Sequence, residues 1–283
     1  MPDTVHLIEE NVTEDVTRAL AEDVGTGDLT ARLIPADRAG HAHLLTRQSG
    51  VLCGTEWFNR TFEELDPDVE IFWHHQDGDD IVANTSLCEI DGQARAMLTA
   101  ERTALNFVQL LSGVATRTRQ FVRAVAGTRA KILDTRKTVP GLRIAQKYAV
   151  HVGGGTNHRI GLYDGILIKE NHIHACGSVR EAVRQAMHDV SDDVFLEVEV
   201  ENLDQLREAL GAGARLILLD NFDIPHMREA VKIAGDRAEL EASGGVELSS
   251  VRAIAETGVH RISIGTLTKD IDALDLSLRF VNP

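Results

Sequence analysis

Between Asp134 and His172 the chain concentrates the residue types that grip a small anionic molecule. Arg136 and Lys137 follow the run Lys131-Ile132-Leu133, His158 and Arg159 follow the turn Gly153-Gly154-Gly155, and Lys169 follows Gly165-Ile166-Leu167-Ile168. A lone Arg or Lys is ordinarily a surface charge. Joint placement at the ends of apolar runs and glycine turns points to a site. Arg offers a planar fork for bidentate carboxylate or phosphate binding, and Lys a compact point charge. Together they suit a ligand with two or more anionic groups. The whole chain carries a net charge of −15, so any anionic ligand needs a locally positive site.

The acidic residues show a second pattern. Glu197, Glu199 and Glu201 alternate, so on a strand they share one face. Inside a barrel that face is costly unless it meets cations, a metal or ligand hydroxyls; the alternative is an edge strand with its acidic face in solvent. Asp220 closes the next strand and neighbours Glu199 if consecutive βα units are adjacent. Such a pair could hold ribose hydroxyls, or Mg2+ with its retained waters. Ser243-Gly244-Gly245 precedes a helix and Gly265-Thr266 follows the last strand. Glycine lets backbone N–H groups approach a phosphate, although glycine at a βα turn is also plain turn chemistry. His172 and His174 could be ligands or turn residues; His41, His43, His74 and His75 lack metal spacing.

These residues need a frame that brings strand ends together. From about residue 130 onward, apolar runs at 131–133, 165–168, 194–198, 215–219, 238–242 and 261–264 alternate with segments of helical period at 178–189, 203–210, 225–234 and 248–257. Strands alternating with helices predict a parallel sheet, whose active site lies at the carboxyl ends of the strands. Six clear strands are fewer than the eight of a regular α/β barrel, so an incomplete barrel fits better; an open doubly wound sheet is the alternative. The earlier part differs. A helix at 12–22, alternating segments at 41–47, 69–74 and 86–91, and a helix at 99–111 predict an antiparallel-leaning sheet with helices on one side.

Composition narrows the function. A 43% hydrophobic, 26% charged chain of 283 residues reads as an ordinary globular protein, and its acidity argues against general nucleic-acid binding. Cys53, Cys88 and Cys176 are scattered, which suggests neither disulfides nor zinc, and fits a reducing cytoplasm. The polar segment 1–11 lacks signal-peptide blocks, and no apolar run approaches the roughly 20 residues that span a bilayer. A Ser-His-Asp arrangement and a Rossmann fingerprint are both missing.

In combination the motifs Glu101 to Asn106, Asp134 to Thr138, Gly154 to Arg159, Leu167 to His172, Glu197-Val198-Glu199, Leu219-Asp220-Asn221-Phe222 and Ser243-Gly244-Gly245 resemble those of the quinolinate phosphoribosyltransferases. The likeness runs from Glu22-Asp23 to the tail at 274–280. It implies an α/β protein with an N-terminal α/β sandwich domain (1–112, with the tail 267–283 packing back on it) and an incomplete, irregular α/β barrel domain (113–266). It further implies a cytoplasmic homodimer acting on quinolinate and 5-phosphoribosyl 1-pyrophosphate, with Arg102 completing the partner's site. By motif match Arg136, His158, Arg159 and Lys169 look like the quinolinate set, and Lys137 is similarly placed to contact the phosphosugar. Glu199 and Asp220 look like the carboxylates that hold ribose and, directly or through water, Mg2+. Ser243, Gly244, Gly245 and Gly265 look like the phosphate cradle. Glu170 and Asp270 depart from the family pattern of Asp and His at those positions, and Lys269 is expected to supply the missing charge. Rival readings are a same-fold paralogue acting on another acidic heterocycle (nicotinate, or one associated with molybdenum transport), a Schiff-base lyase using Lys169, and a non-catalytic phosphosugar binder.

Overall fold

The computed structural model describes residues 4–189 and 194–281, with side chains described for 8–188 and 194–281. The first three residues of the N-terminal segment and the last two of the tail lie outside them. In chain order the principal elements are α1 (Thr4–Val24), β1 (Ala39–Thr46), β2 (Gly50–Val51), α2 (Thr55–Glu63), β3 (Glu70–Trp73), β4 (Asp80–Ile81), β5 (Thr85–Gln93) and α3 (Ala94–Ala124). There follow β6 (Lys131–Leu133), α4 (Arg143–Val152), β7 (Gly165–Ile168), α5 (Glu170–Cys176), α6 (Val179–Asp189), β8 (Phe195–Val200), α7 (Leu203–Gly211) and β9 (Leu216–Asp220). The last are α8 (Ile224–Ala234), β10 (Glu239–Ser243), α9 (Val251–Ala255), β11 (Arg261–Ser263) and β12 (Leu276–Phe280).

The chain divides into two compact units. One comprises the chain up to Arg119, Thr138–Gly154 and the tail from Leu267; the other comprises Gln120–Lys137 and Gly155–Thr266.

In the first unit an antiparallel sheet runs in the order β12-β1-β5-β3. The tail strand β12 closes one side, pairing Phe280 with Ala42 and Leu276 with Thr46. Alternation puts Ala42, Leu44, Cys88 and Ile90 on the buried face, against Phe58 and Phe62 of α2 and Met97, Ala100, Ala104 and Val108 of α3. Helix α2 is not among the segments expected from the sequence. Its Trp57, Phe58, Thr61 and Phe62 nonetheless form one buried stripe at helical spacing.

Helix α3 is longer than the predicted 99–111, running on past Gly113. Val114, Ala115, Thr118 and Phe121 keep the buried face going. Gly113, inside this helix, serves a close approach: a Cβ there would lie 2.3 Å from the Asp272 carbonyl oxygen in the tail. Backbone cannot rotate aside. Gly113→Ala is therefore expected to destabilise the first unit by about 2 kcal/mol, overpacking outweighing the gain in helix propensity. A melting temperature equal to or above that of the parent would refute this account of the tail.

The second unit carries six parallel strands in the order β6-β11-β10-β9-β8-β7. Consecutive strands β7 to β11 are neighbours, and β6 adds beyond β11. No β6–β7 pairing joins the two ends among the described residues. Instead Thr156 forms a bridge to Leu133 on the free side of β6. Two residues later His158 reaches Glu197 on β8, so the sheet has curled until its ends approach. This is the incomplete barrel the sequence suggested.

Candidate active site

Parallel pairing puts the carboxyl ends of all six strands on one rim, and the predicted residues follow it. Arg136 and Lys137 come after β6, Lys169 directly follows β7, Glu199 lies near the end of β8, Asp220 ends β9, Ser243 ends β10, and Gly265 comes after β11. Strand β8 lies between β7 and β9, which removes the edge-strand alternative for its glutamates. Glu199 is in register with Leu218, so Asp220 is its diagonal neighbour on the same face. Glu201, beyond the strand, is exposed.

The cations are held close despite their repulsion. Burial and the neighbouring Arg136 guanidinium push Arg159 down from the usual arginine value. Arg159 Nη1 donates to the Gly165 carbonyl at 2.7 Å, while its buried Nε has no acceptor. Two guanidiniums so placed create a demand for an anion. Lys169 Nζ is 3.2 Å from Glu199 Oε2, so this lysine is paired with one of the carboxylates. A Cβ on Gly265 would lie 2.8 Å from Lys137 Cδ, so the lysine stem crosses this glycine and a side chain there would displace it.

His158 faces inward rather than into the rim. The Arg159 backbone N–H donates to His158 Nδ1 at 2.8 Å, which leaves the proton on Nε2 to be donated to Glu197 Oε2 at 2.9 Å. Its backbone N–H donates to Asp134 Oδ1 at 2.8 Å, and the Asn157 side chain donates to Asp134 Oδ2 at 2.7 Å. Both ring nitrogens are thus engaged within the protein, and His158 orients the turn carrying Arg159. His172 likewise has a turn role, its Nδ1 accepting the Lys169 N–H at 3.0 Å.

Beneath the rim lies a cluster the sequence reading did not find. Glu197 and Glu241 are both fully buried, and Glu241 Oε1 is 3.8 Å from His158 Nε2. Glu197 Oε1 and both Glu241 oxygens are buried without a hydrogen-bond partner. Burial raises both carboxyls well above the ordinary glutamate value; Glu197 raises Glu241 further, while Arg261 and Arg159 oppose the rise at Glu197. Protonation removes most of the cost of enclosing them. The available signal was the alternation of Glu239 and Glu241 within an apolar run. Among the described residues this is also the group of His, Cys, Asp or Glu ligand atoms close enough to share one ion, all within 4.8 Å. Its imidazole is a poor match for Mg2+, which prefers oxygen donors. Glu199 and Asp220, half-buried on the rim with only carboxylate oxygens to offer, fit Mg2+ better.

Arg102 and Lys269 belong to the first unit. Arg102 is exposed on α3, and Lys269 Nζ is 4.0 Å from Asp270 Oδ1, both side chains about half exposed.

Residues 28–112 match the quinolinate phosphoribosyl transferase N-terminal domain, and residues 114–279 match the corresponding C-terminal domain. The chain belongs to the quinolinate phosphoribosyltransferase family. A relative from Bacillus subtilis, a probable nicotinate-nucleotide pyrophosphorylase (carboxylating), is 45% identical over 257 residues, covering 91% of this chain and 89% of the relative. One from Synechocystis with the same description is 40% identical over 265 residues, covering 93% and 90%. The solved nicotinate-nucleotide pyrophosphorylase of Francisella tularensis superposes with a TM-score of 0.93 at 47% identity, covering 96% of each chain. This quinolinate phosphoribosyltransferase family member therefore has the fold of its relatives across both units.

Proposed function

We propose that the protein converts quinolinate and 5-phosphoribosyl 1-pyrophosphate to nicotinate mononucleotide, pyrophosphate and CO2, a step of NAD biosynthesis. The observation that carries this reading is the mutually repelling pair Arg136 and Arg159, together with Lys169 paired to Glu199 and Asp220 diagonal to Glu199 at the strand ends. Quinolinate bears two carboxylates on adjacent ring carbons, which accounts for several cations in one place. Its ring nitrogen attacks C1 of the ribose as the C1–O bond to pyrophosphate breaks. The C2 carboxylate then leaves as CO2, its bonding pair passing to C2 beside the cationic nitrogen, and a proton is taken up there. Positive charge develops on ribose and ring nitrogen, which Glu199 and Asp220 stabilise. Lys137 and the turns at Ser243-Gly244-Gly245 and Gly265 are suited to the phosphate groups. Glu199 and Asp220 would hold Mg2+, directly or through water; when bound, it neutralises the leaving pyrophosphate.

The protein acts in the cytoplasm as a homodimer, with the partner's copy of Arg102 completing each site. Among the described residues no helix is long and apolar enough to cross a membrane. Arg102→Ala and Arg136→Ala dimers, each inactive alone, are expected to regain partial activity on subunit exchange. Sites built from one chain would show no rescue. The Lys169–Glu199 ion pair uses the ammonium as a charge, whereas a Schiff-base lyase needs a free amine there. The assignment is tested by CO2 and nicotinate mononucleotide formation from quinolinate, 5-phosphoribosyl 1-pyrophosphate and Mg2+. Turnover of nicotinate but not quinolinate would sink it.

A further inference from the structure

Asn221 follows Asp220 in the Leu219-Asp220-Asn221-Phe222 motif and carries no charge to offer either substrate. Its backbone stands out. With φ of 56° it is one of two non-glycine residues in the left-handed region among the described residues, the other being Asn84 in a turn of the first unit. Asn tolerates this region better than most residues, but does not enter it without local cause. Three contacts supply the cause. The Asn221 N–H donates to the Ser243 carbonyl at 2.9 Å, and its side-chain Nδ2 donates to Asp220 Oδ2 at 2.9 Å. Its Oδ1 lies so close to Gly244 that a Cβ there would be 2.1 Å away, the tightest approach at any glycine described.

The carboxamide is therefore wedged between Asp220 and the Ser243-Gly244-Gly245 turn. Gly244 and Gly245 themselves have φ of 100° and 58°, so the turn's shape is special on both sides of the wedge. Strands β9 and β10 pair Asp220 with Ser243, but this ladder ends at those residues. Beyond it, backbone and side chain of Asn221 are the links that carry the register onward.

We infer that Asn221 is a positioning residue for the phosphosugar half of the site, locking the Asp220 carboxylate and the glycine turn into one rigid piece. The inference rests on the proposed function for its ligand. The geometry requires that loss of the carboxamide affect phosphosugar binding and leave quinolinate binding alone, because Arg136 follows β6, Lys169 follows β7 and Arg159 lies in the loop before β7.

Asn221→Gly separates the side chain from the backbone, since glycine accepts a φ of 56° without strain. The variant is expected to raise KM for 5-phosphoribosyl 1-pyrophosphate about tenfold, the loss of one hydrogen bond to a charged group. KM for quinolinate should stay within about twofold of the parent, and the melting temperature should be unchanged. Asn221→Asp keeps the shape, removes the donor and adds a charge beside Asp220, so it should be worse than Asn221→Gly. Equal changes in both KM values, or parent kinetics in Asn221→Gly, would overturn the inference. Parent turnover is the control for the function itself. If the parent shows none, calorimetric titration of both proteins with 5-phosphoribosyl 1-pyrophosphate and Mg2+ still decides: equal affinities overturn the inference, and weaker binding by the variant upholds it.

Discussion

Arg159→Lys is expected to lower kcat/KM for quinolinate by about two to three orders of magnitude, the loss typical of removing an electrostatic donor. The positive charge survives this substitution, so a large effect must come from geometry. Arg159 holds Gly165 through one guanidinium nitrogen, keeping the remaining donors in a fixed plane beside Arg136. Lysine presents a single ammonium on a flexible stem and cannot reproduce a fork for a carboxylate. Stability should move the other way from activity. Removing one of two repelling guanidiniums relieves a cost the folded protein carries for binding, so Arg159→Ala should be inactive yet no less stable than the parent. Steady-state kinetics and thermal melts test both halves. A loss of less than about threefold in Arg159→Lys would show that charge alone suffices there.

The second large effect concerns Glu197 and Glu241 and is read in stability against pH. Both carboxyls are raised from the ordinary 4.5, Glu197 to about 7 and Glu241 to about 8. Between those limits the folded state holds more protons than the unfolded state, so stability is full below about pH 4.5 and falls as pH rises to about 8. Glu241→Gln keeps the shape while removing the titration. It should flatten the fall and melt above the parent at pH 8.5, with little difference or a slight loss at pH 5. Identical pH profiles for the two proteins would mean that the pair carries no such proton. Glu197→Gln differs, since it still accepts from His158 and should keep the turn that carries Arg159.

Much of the frame was legible locally. Six strand runs and the helices between them follow from alternation and helical period, and each strand was found within a few residues of its observed place. The rim cations were legible too, because a charge directly after a buried run has few places to go. The helices that escaped notice, α2, α4 and α5, lie among turn residues. The expected helix at 99–111 falls short of α3, which continues through Gly113 to a contact with a tail more than 150 residues away.

What the sequence determined by itself was the type and order of the elements, the cations and carboxylates at their ends, and the family those motifs mark. Tertiary structure decided which way each side chain faces and what it meets. Glu199 and Glu197 alternate identically in sequence, yet one reaches the rim beside Lys169 and the other is sealed beneath it with Glu241. His158 has its own neighbour's N–H on one ring nitrogen and Glu197 on the other, contacts that only the folded turn supplies. Periodicity is a local property of the backbone and sets which residues share a face. Which face becomes the interior, and at what depth a residue sits, depends on pairing between strands far apart in the chain, and that is fixed only when the sheet curls.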